Sequence, residues 1–225
     1  MVKLYLDGAD LSTMDRLGAE VDGFTTNPSL MRAAGVKDYR MFAQNVIERA
    51  GGKPISFEVL ADDLPTMDKQ AREIASWSKC IYVKLPVVTS NGDSTGLLAH
   101  MLSNDGIQLN ITAVMTLDQV RNTARTLCPT TPAVISIFAG RIADTQVDPV
   151  PLFTSAIHCK HAATEILWAS TREVYNVRQA ELAGADIITL SPGLLTKLPL
   201  KGKDLTQYSR ETVEQFVEDA RGIEI

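Results

Sequence analysis

A lysine stands fourth in the apolar run Ile81-Tyr82-Val83-Lys84-Leu85. An ammonium carried into such a run and left without a partner is costly, because it gives up its water for an apolar surround. Two readings answer that cost. In one, Lys84 is half of a buried ion pair with Asp7 or Glu58. In the other, desolvation favours the neutral amine, which adds to carbonyl carbons. The second reading predicts imine chemistry, with the protonated imine as electron sink for a carbanion. Such chemistry needs no metal and no organic cofactor, and none is expected.

Other polar residues end short apolar runs in the same manner: Asp7, Asn27, Glu58, Asn110 with Thr112, and Ser170. In a strand, residues two apart share a face. Ser56 and Glu58 then oppose Ile55, Phe57 and Val59, while Asn110 and Thr112 oppose Leu109 and Ile111. Tyr82 and Lys84 likewise oppose Ile81, Val83 and Leu85, so the polar members are expected to point one way together. Each has a plainer reading alone, as a strand-end cap or, for Asn27-Pro28, a turn. Two arginines also follow apolar runs, Arg141 after Phe138-Ala139-Gly140 and Arg172 after Ser170-Thr171. Ser170-Thr171-Arg172 is expected to open a helix, whose backbone N–H groups and guanidinium would hold one anion together. Lys197 and Lys201 lie near the last loop.

The elements that must position these groups repeat. Short apolar runs at Lys3–Leu6, Gly23–Thr26, Pro54–Val59, Cys80–Leu85, Ile107–Thr112, Ala133–Phe138, Glu165–Ser170 and Asp186–Leu190 read as strands. Helical periodicity fills Leu11–Val21, Lys37–Ala50, Thr66–Trp77, Thr95–Ser103, Leu117–Leu127, Val150–His161, Arg172–Ala183 and Pro192–Leu198. Eight strands alternating with helices predict a (β/α)8 TIM barrel, with its site at the C-terminal strand ends. No Gly-x-Gly-x-x-Gly follows a strand, which speaks against a dinucleotide-binding sheet. Residues 1–225 are expected to form one domain. An additional C-terminal helix over 208–222 would start from a Ser209 cap and carry Val213, Phe216, Val217 and Ala220 on one face. It would cover the barrel or pack on a neighbouring subunit.

The composition agrees with a globular α/β chain. Of 225 residues, 45% are hydrophobic and 22% charged, enough apolar material for one sizeable core. A net charge of −5 without a basic run argues against nucleic acid and anionic membranes as partners. A small anion, needing only a few local cations, stays open. No apolar run is long enough for a membrane span, and a strand from Lys3 leaves no signal peptide in view. Cys80, Cys128 and Cys159 are odd in number, far apart and without metal spacing, so reduced thiols in a cytoplasm are expected. His158 and His161 have helical i,i+3 spacing and read as a solvated helix face rather than metal ligands.

Seven strings, in order, carry a likeness to a known family. They are Leu4-Tyr5-Leu6-Asp7, Gly23-Phe24-Thr25-Thr26-Asn27-Pro28-Ser29, Ser56-Phe57-Glu58-Val59, Val83-Lys84-Leu85-Pro86-Val87, Asn110-Ile111-Thr112, Phe138-Ala139-Gly140-Arg141 and Ala169-Ser170-Thr171-Arg172. From residue 3 to roughly 198 the chain resembles the small transaldolases and fructose-6-phosphate aldolases. The resemblance implies dihydroxyacetone transfer from fructose 6-phosphate or sedoheptulose 7-phosphate to an aldose phosphate, in the pentose phosphate pathway. It implies that Lys84 forms the imine, Asp7 moves the C4 hydroxyl proton, and Glu58 with Thr112 handles the exchanging water. Asn27, beside Thr26, and Asn110 would bind hydroxyls of the dihydroxyacetone part, and Arg141, Ser170 and Arg172 the phosphate. The family's aldolases carry Gln at the position of Glu58 and Tyr at that of Phe138, so both positions take the transferase option. The family also implies a homo-oligomer, with a ring built on the C-terminal helix as one form.

Two departures from the family pattern are expected to bear on acceptor choice: the longer stretch Val87–Ser94, beside the acceptor site, and the bulky Trp168, which by alternation shares the face of Ser170. Two alternatives stay open: a lyase releasing free dihydroxyacetone, and a non-catalytic sugar-phosphate-binding barrel with Lys84 only an ion-pair partner.

Overall fold

Runs of β-branched and aliphatic residues too short for helices become the strands of a closed parallel barrel. The computed structural model describes residues 1–8 and 10–223. Its strands are β1 (Lys3–Asp7), β2 (Gly23–Thr25), β3 (Ile55–Glu58), β4 (Ile81–Pro86), β5 (Leu109–Val114), β6 (Ala133–Ile137), β7 (Thr164–Trp168) and β8 (Ile187–Leu190). They pair in sequence order, all parallel, and β8 closes on β1. The helices between them are α1 (Leu11–Leu17), α2 (Pro28–Ala33), α3 (Tyr39–Ala50), α4 (Leu64–Ser76), α5 (Gly96–Asn104), α6 (Leu117–Thr126), α7 (Ala139–Asp144), α8 (Val150–Ala156) and α9 (Tyr175–Ala183). A short α10 (Pro192–Leu195) follows β8. The expected (β/α)8 TIM barrel is present.

Register sets what the barrel encloses. Tyr5 lies beside Gly23 and Asp7 beside Thr25, Ser56 beside Tyr82 and Glu58 beside Lys84, and Lys84 in turn beside Asn110. Because strand side chains alternate, these pairs lie on one face, and that face is the interior. Lower in the barrel, Tyr5, Val134, Leu167 and Ile187 form a buried cluster with Tyr82 packed against it. At the N-terminal rim Lys3 pairs with Glu165 at 2.7 Å. The polar layer near the strand C-termini therefore rests on an apolar plug, as in other barrels of this kind.

Several local expectations are corrected. Asn27-Pro28 is not a free turn but the start of α2. The Asn27 Oδ1 accepts from the Leu30 amide at 2.9 Å, and Pro28 occupies the first turn, where its missing N–H costs nothing. Helix α8 ends at Ala156, so His158 and His161 do not share a helix face. Helix α9 starts at Tyr175 rather than Arg172. The short helix α7 has too few residues to show periodicity and goes unseen in the sequence.

Residues from Thr196 form a second unit, carrying α11 (Leu205–Asp219). Its cap is Asp204, which accepts from the Gln207 amide at 2.8 Å, and not Ser209. Within this unit Lys203 bonds Glu211 and sits 4.3 Å over the Tyr208 ring. Val213, Phe216 and Val217, whose spacing puts them on one face of α11, are exposed. Among the described residues no helix is long and apolar enough to cross a membrane.

Gly23 lets the Tyr5 ring fill the interior. A Cβ there would meet the ring at 2.5 Å and the Pro54 carbonyl oxygen at 2.8 Å. Gly23→Ala is expected to lower unfolding free energy by about 1–3 kcal/mol, read as a lower urea midpoint at unchanged slope. A wild-type midpoint would mean that the ring has room to turn aside.

Candidate active site

Lys84 is nearly buried, and its ammonium is held on two sides. Nζ donates to the Thr26 carbonyl oxygen at 2.8 Å and lies 3.2 Å from Glu58 Oε2. The ion-pair contact open to Lys84 is thus made with Glu58 rather than Asp7. Glu58 itself is fixed through its backbone, because the Tyr39 hydroxyl donates to its carbonyl at 2.9 Å. Tyr39 in turn packs edge-on against Phe57 and Trp77, so an aromatic cluster outside the barrel sets the end of β3.

Asp7 ends β1 within reach of both charges. Burial pushes its carboxyl above the ordinary aspartate range. The Lys84 charge and hydrogen bonds from Thr25 and Asn27 oppose that push, and Glu58 adds to it. Thr25 Oγ1 donates to Asp7 Oδ1 at 2.9 Å and lies 2.6 Å from Thr189 Oγ1. A hydroxyl has one proton, and that of Thr25 goes to Asp7, so Thr189 is the donor in the second contact.

Asp7, Asn27, Glu58, Lys84, Thr112, Phe138, Arg141, Ser170 and Arg172 all line one cavity of about 520 Å³, a size suited to a sugar phosphate. Thr25, Ser136 and Thr189 line it too. Each shares the inward parity of its strand, but small hydroxyl residues are ordinary in strands and do not stand out in the sequence as site residues.

Two expected members stand outside the wall. Asn110 is fully buried, with Nδ2 donating to Ser56 Oγ at 3.0 Å and Oδ1 accepting from Ser136 Oγ at 2.6 Å. Thr26 is also buried, and its hydroxyl donates to the Ser56 carbonyl at 2.9 Å. Neither side chain lines the cavity. They brace its floor, Thr26 offering only a backbone oxygen to Lys84.

Backbone irregularities bring further groups inward. The β5–β6 register shifts between Ile111 and Val114, and Ala113 has φ +60°, so Thr112 and Ala113 both face the cavity. Thr112 Oγ1 is buried without a protein hydrogen-bond partner. Ser170 has φ +61°, which turns it into the cavity out of step with β7. Trp168 accordingly does not share its face. It stacks on Phe153 of α8, centroids 4.4 Å apart, and is absent from the cavity wall. The stretch Val87–Ser94 also lies off the wall. It folds on itself through a Val88–Ser94 bridge, and Ser90 N donates to Asp62 at 2.8 Å. The expected influence of both features on acceptor choice thus loses its direct route.

The expected helix-end anion seat is corrected as well. The backbone amides of Arg172 and Glu173 already donate to Asn176 Oδ1, at 2.9 and 3.1 Å. The Arg172 guanidinium pairs with Asp144 at 2.6 Å, while that of Arg141 lies 5.5 Å over the Phe138 ring. The two arginine loops touch at Gly140, where a Cβ would fall 1.6 Å from the Ser170 carbonyl oxygen. Only glycine permits that approach.

The family described as Transaldolase/Fructose-6-phosphate aldolase matches residues 4–225. A "probable transaldolase" of Parvibaculum lavamentivorans is 35% identical over 218 residues, 92% of this chain and 94% of that one. Another from Hyphomonas neptunium is 34% identical over the whole of both chains. Among solved structures, 3-hexulose-6-phosphate synthase from Salmonella typhimurium superposes with a TM-score of 0.59 at 13% identity, over 84% of this chain and 89% of that one. Orotidine 5'-monophosphate decarboxylase from Sulfolobus solfataricus gives 0.57 at 15% identity, over 97% and 99%. Those two likenesses concern the barrel alone, whereas the sequence matches reach across the motifs that build the cavity: the chain belongs to the transaldolase/fructose-6-phosphate aldolase family.

Proposed function

We propose that the protein is a transaldolase, moving a dihydroxyacetone unit from a ketose phosphate (fructose 6-phosphate or sedoheptulose 7-phosphate) to an aldose phosphate through an imine on Lys84. The observation that carries this reading is a buried Lys84 Nζ, 3.2 Å from Glu58, in a cavity that Asp7 and two arginines also line. A purely structural ion pair would have no need of such a cavity.

In this reading the neutral amine of Lys84 adds to the C2 carbonyl, and Glu58 takes the ammonium proton through their direct contact. Glu58 returns it to the C2 oxygen and then relays a second proton there from the carbinolamine nitrogen, so that the oxygen leaves as water and the protonated imine remains. The orphan Thr112 hydroxyl gives that water a partner. Asp7 then accepts the C4 hydroxyl proton as the C3–C4 bond breaks. The bond's electrons enter the imine to form an enamine, and an aldose phosphate departs. The acceptor aldehyde reverses these steps, and water frees the new ketose.

Asn27, whose oxygen caps α2 and whose amide donates one N–H to Asp7, offers its other N–H to a substrate hydroxyl. Asn110 serves from below by orienting Ser136. Arg141, Ser170 and Arg172 take the phosphate. Phe138 keeps a phenol away from the imine, which favours transfer over hydrolysis. The exposed Val213, Phe216 and Val217 face supports the expectation of a homo-oligomer.

Borohydride with fructose 6-phosphate should trap a three-carbon adduct on Lys84, seen by peptide mass. An unmodified, folded protein would favour the binding-barrel alternative. Phe138→Tyr should raise dihydroxyacetone release without acceptor relative to transfer; an unchanged ratio would remove Phe138 from that choice. Asp7→Asn should lower kcat by about 10²–10⁴-fold, and borohydride should then trap the uncleaved six-carbon imine on Lys84. Asp7 must be ionised to accept a proton, and burial raises its pKa. Activity should therefore be lost, as pH falls, above the roughly 3.9 of a free aspartate. A kcat/KM profile flat down to that pH would exclude Asp7 as the base.

A further inference from the structure

The Arg172 fork already holds an anion. Asp144, the last residue of α7, meets it edge-on, with Nε–Oδ1 at 3.2 Å and Nη2–Oδ2 at 2.6 Å. The pair is not an accident of two loose side chains. Gly140 of the same helix abuts the Ser170 carbonyl, and the Arg172 amide is tied to Asn176, so both backbones are fixed. Arg141 also acts on Asp144, and the two arginines together hold its carboxyl below the usual range. Among the described residues Arg141 makes no ion pair, whereas Arg172 is compensated.

An arginine presents five N–H donors, and a carboxylate on the Nε edge leaves the Nη1–Nη2 edge open. A phosphate on that open edge would have the Asp144 charge within a few ångströms. We propose that Asp144 is a specificity-determining residue that weakens the grip of this site on phosphate, an inference that rests on Arg141 and Arg172 being the phosphate readers. The function follows from the reaction. A transferase of this kind binds and releases two different phosphorylated sugars at one seat in each turnover. Two uncompensated arginines would hold each product too long, whereas a resident carboxylate competes for one of them. Interactions equal for substrate, transition state and product add nothing to turnover once the site is filled.

The test is calorimetric binding of inorganic phosphate to the whole protein, which requires no turnover. Asp144→Asn removes the charge and keeps an acceptor for Nε. It should tighten binding by about 3- to 10-fold at low salt, and by less as salt screens the site. Arg172→Met should weaken binding, and adding Asp144→Asn to it should gain less than Asp144→Asn gains in the wild-type background. With fructose 6-phosphate, Asp144→Asn should lower KM and kcat together. With free dihydroxyacetone as donor and an unphosphorylated aldehyde as acceptor, the rate should stay at the wild-type value. Equal or weaker phosphate binding by the asparagine variant, no binding by either protein, or a gain as large without Arg172 as with it would each overturn the proposal. Because the assay bypasses the imine, a failed borohydride trap would sink the transferase reading alone. A normal trap with unaltered phosphate affinity would sink only the role of Asp144. Asp144→Ser, melting at the wild-type temperature, separates lost charge from lost folding.

Discussion

An ammonium buried in a barrel strand must be surrounded before the barrel can close, and much of the upper interior serves that need. Lys84 is met by a carboxylate from the adjacent strand and a carbonyl from the strand beyond it. Those partners must themselves be held. Glu58 is anchored through Tyr39, and Thr26 through the Ser56 carbonyl. Ser56 in turn meets Asn110, which meets Ser136. A single buried charge thus recruits polar groups across β2 to β6. Such a network rigidifies when every member is satisfied, and is expensive when one is not.

The same network explains how three ionisable groups share one small cavity. Lys84 pairs with Glu58, yet its charge still eases the burial of Asp7, together with hydrogen bonds from Thr25 and Asn27. Thr189 donates to Thr25, and Thr25 to Asp7. This order of donation suits an ionised carboxylate, and a protonated Asp7 keeps it when its proton sits on Oδ2, so the hydroxyl pair serves both states without moving a heavy atom.

The barrel was legible because eight apolar runs recur at the spacing a βα unit imposes, and polar residues such as Lys84 and Glu58 interrupt those runs at their C-terminal ends. Alternation then placed both on the interior face. What escaped was set by backbone rather than side chain. The positive φ of Ser170 broke the parity that had assigned Trp168 to the cavity, and the shift in β5 turned two consecutive residues inward. Arg172 was expected at a helix start because its neighbours read as helical, yet the Asn176 side chain claims the amides that the anion would need. Asn110 and Thr26 have the residue types of ligand contacts, but their partners, separated by dozens of residues, could be found only in three dimensions.

The irregularity in β5 also sets what protein engineers can do with this cavity. Ala113 offers its wall a methyl group on a backbone at φ +60°. Asparagine, aspartate and glycine tolerate that conformation, while β-branched and bulky residues do not. A redesign for new aldehydes at this position therefore chooses among small or amide-bearing side chains. It can change the polarity of the wall more readily than its width, and it leaves Thr112 in place.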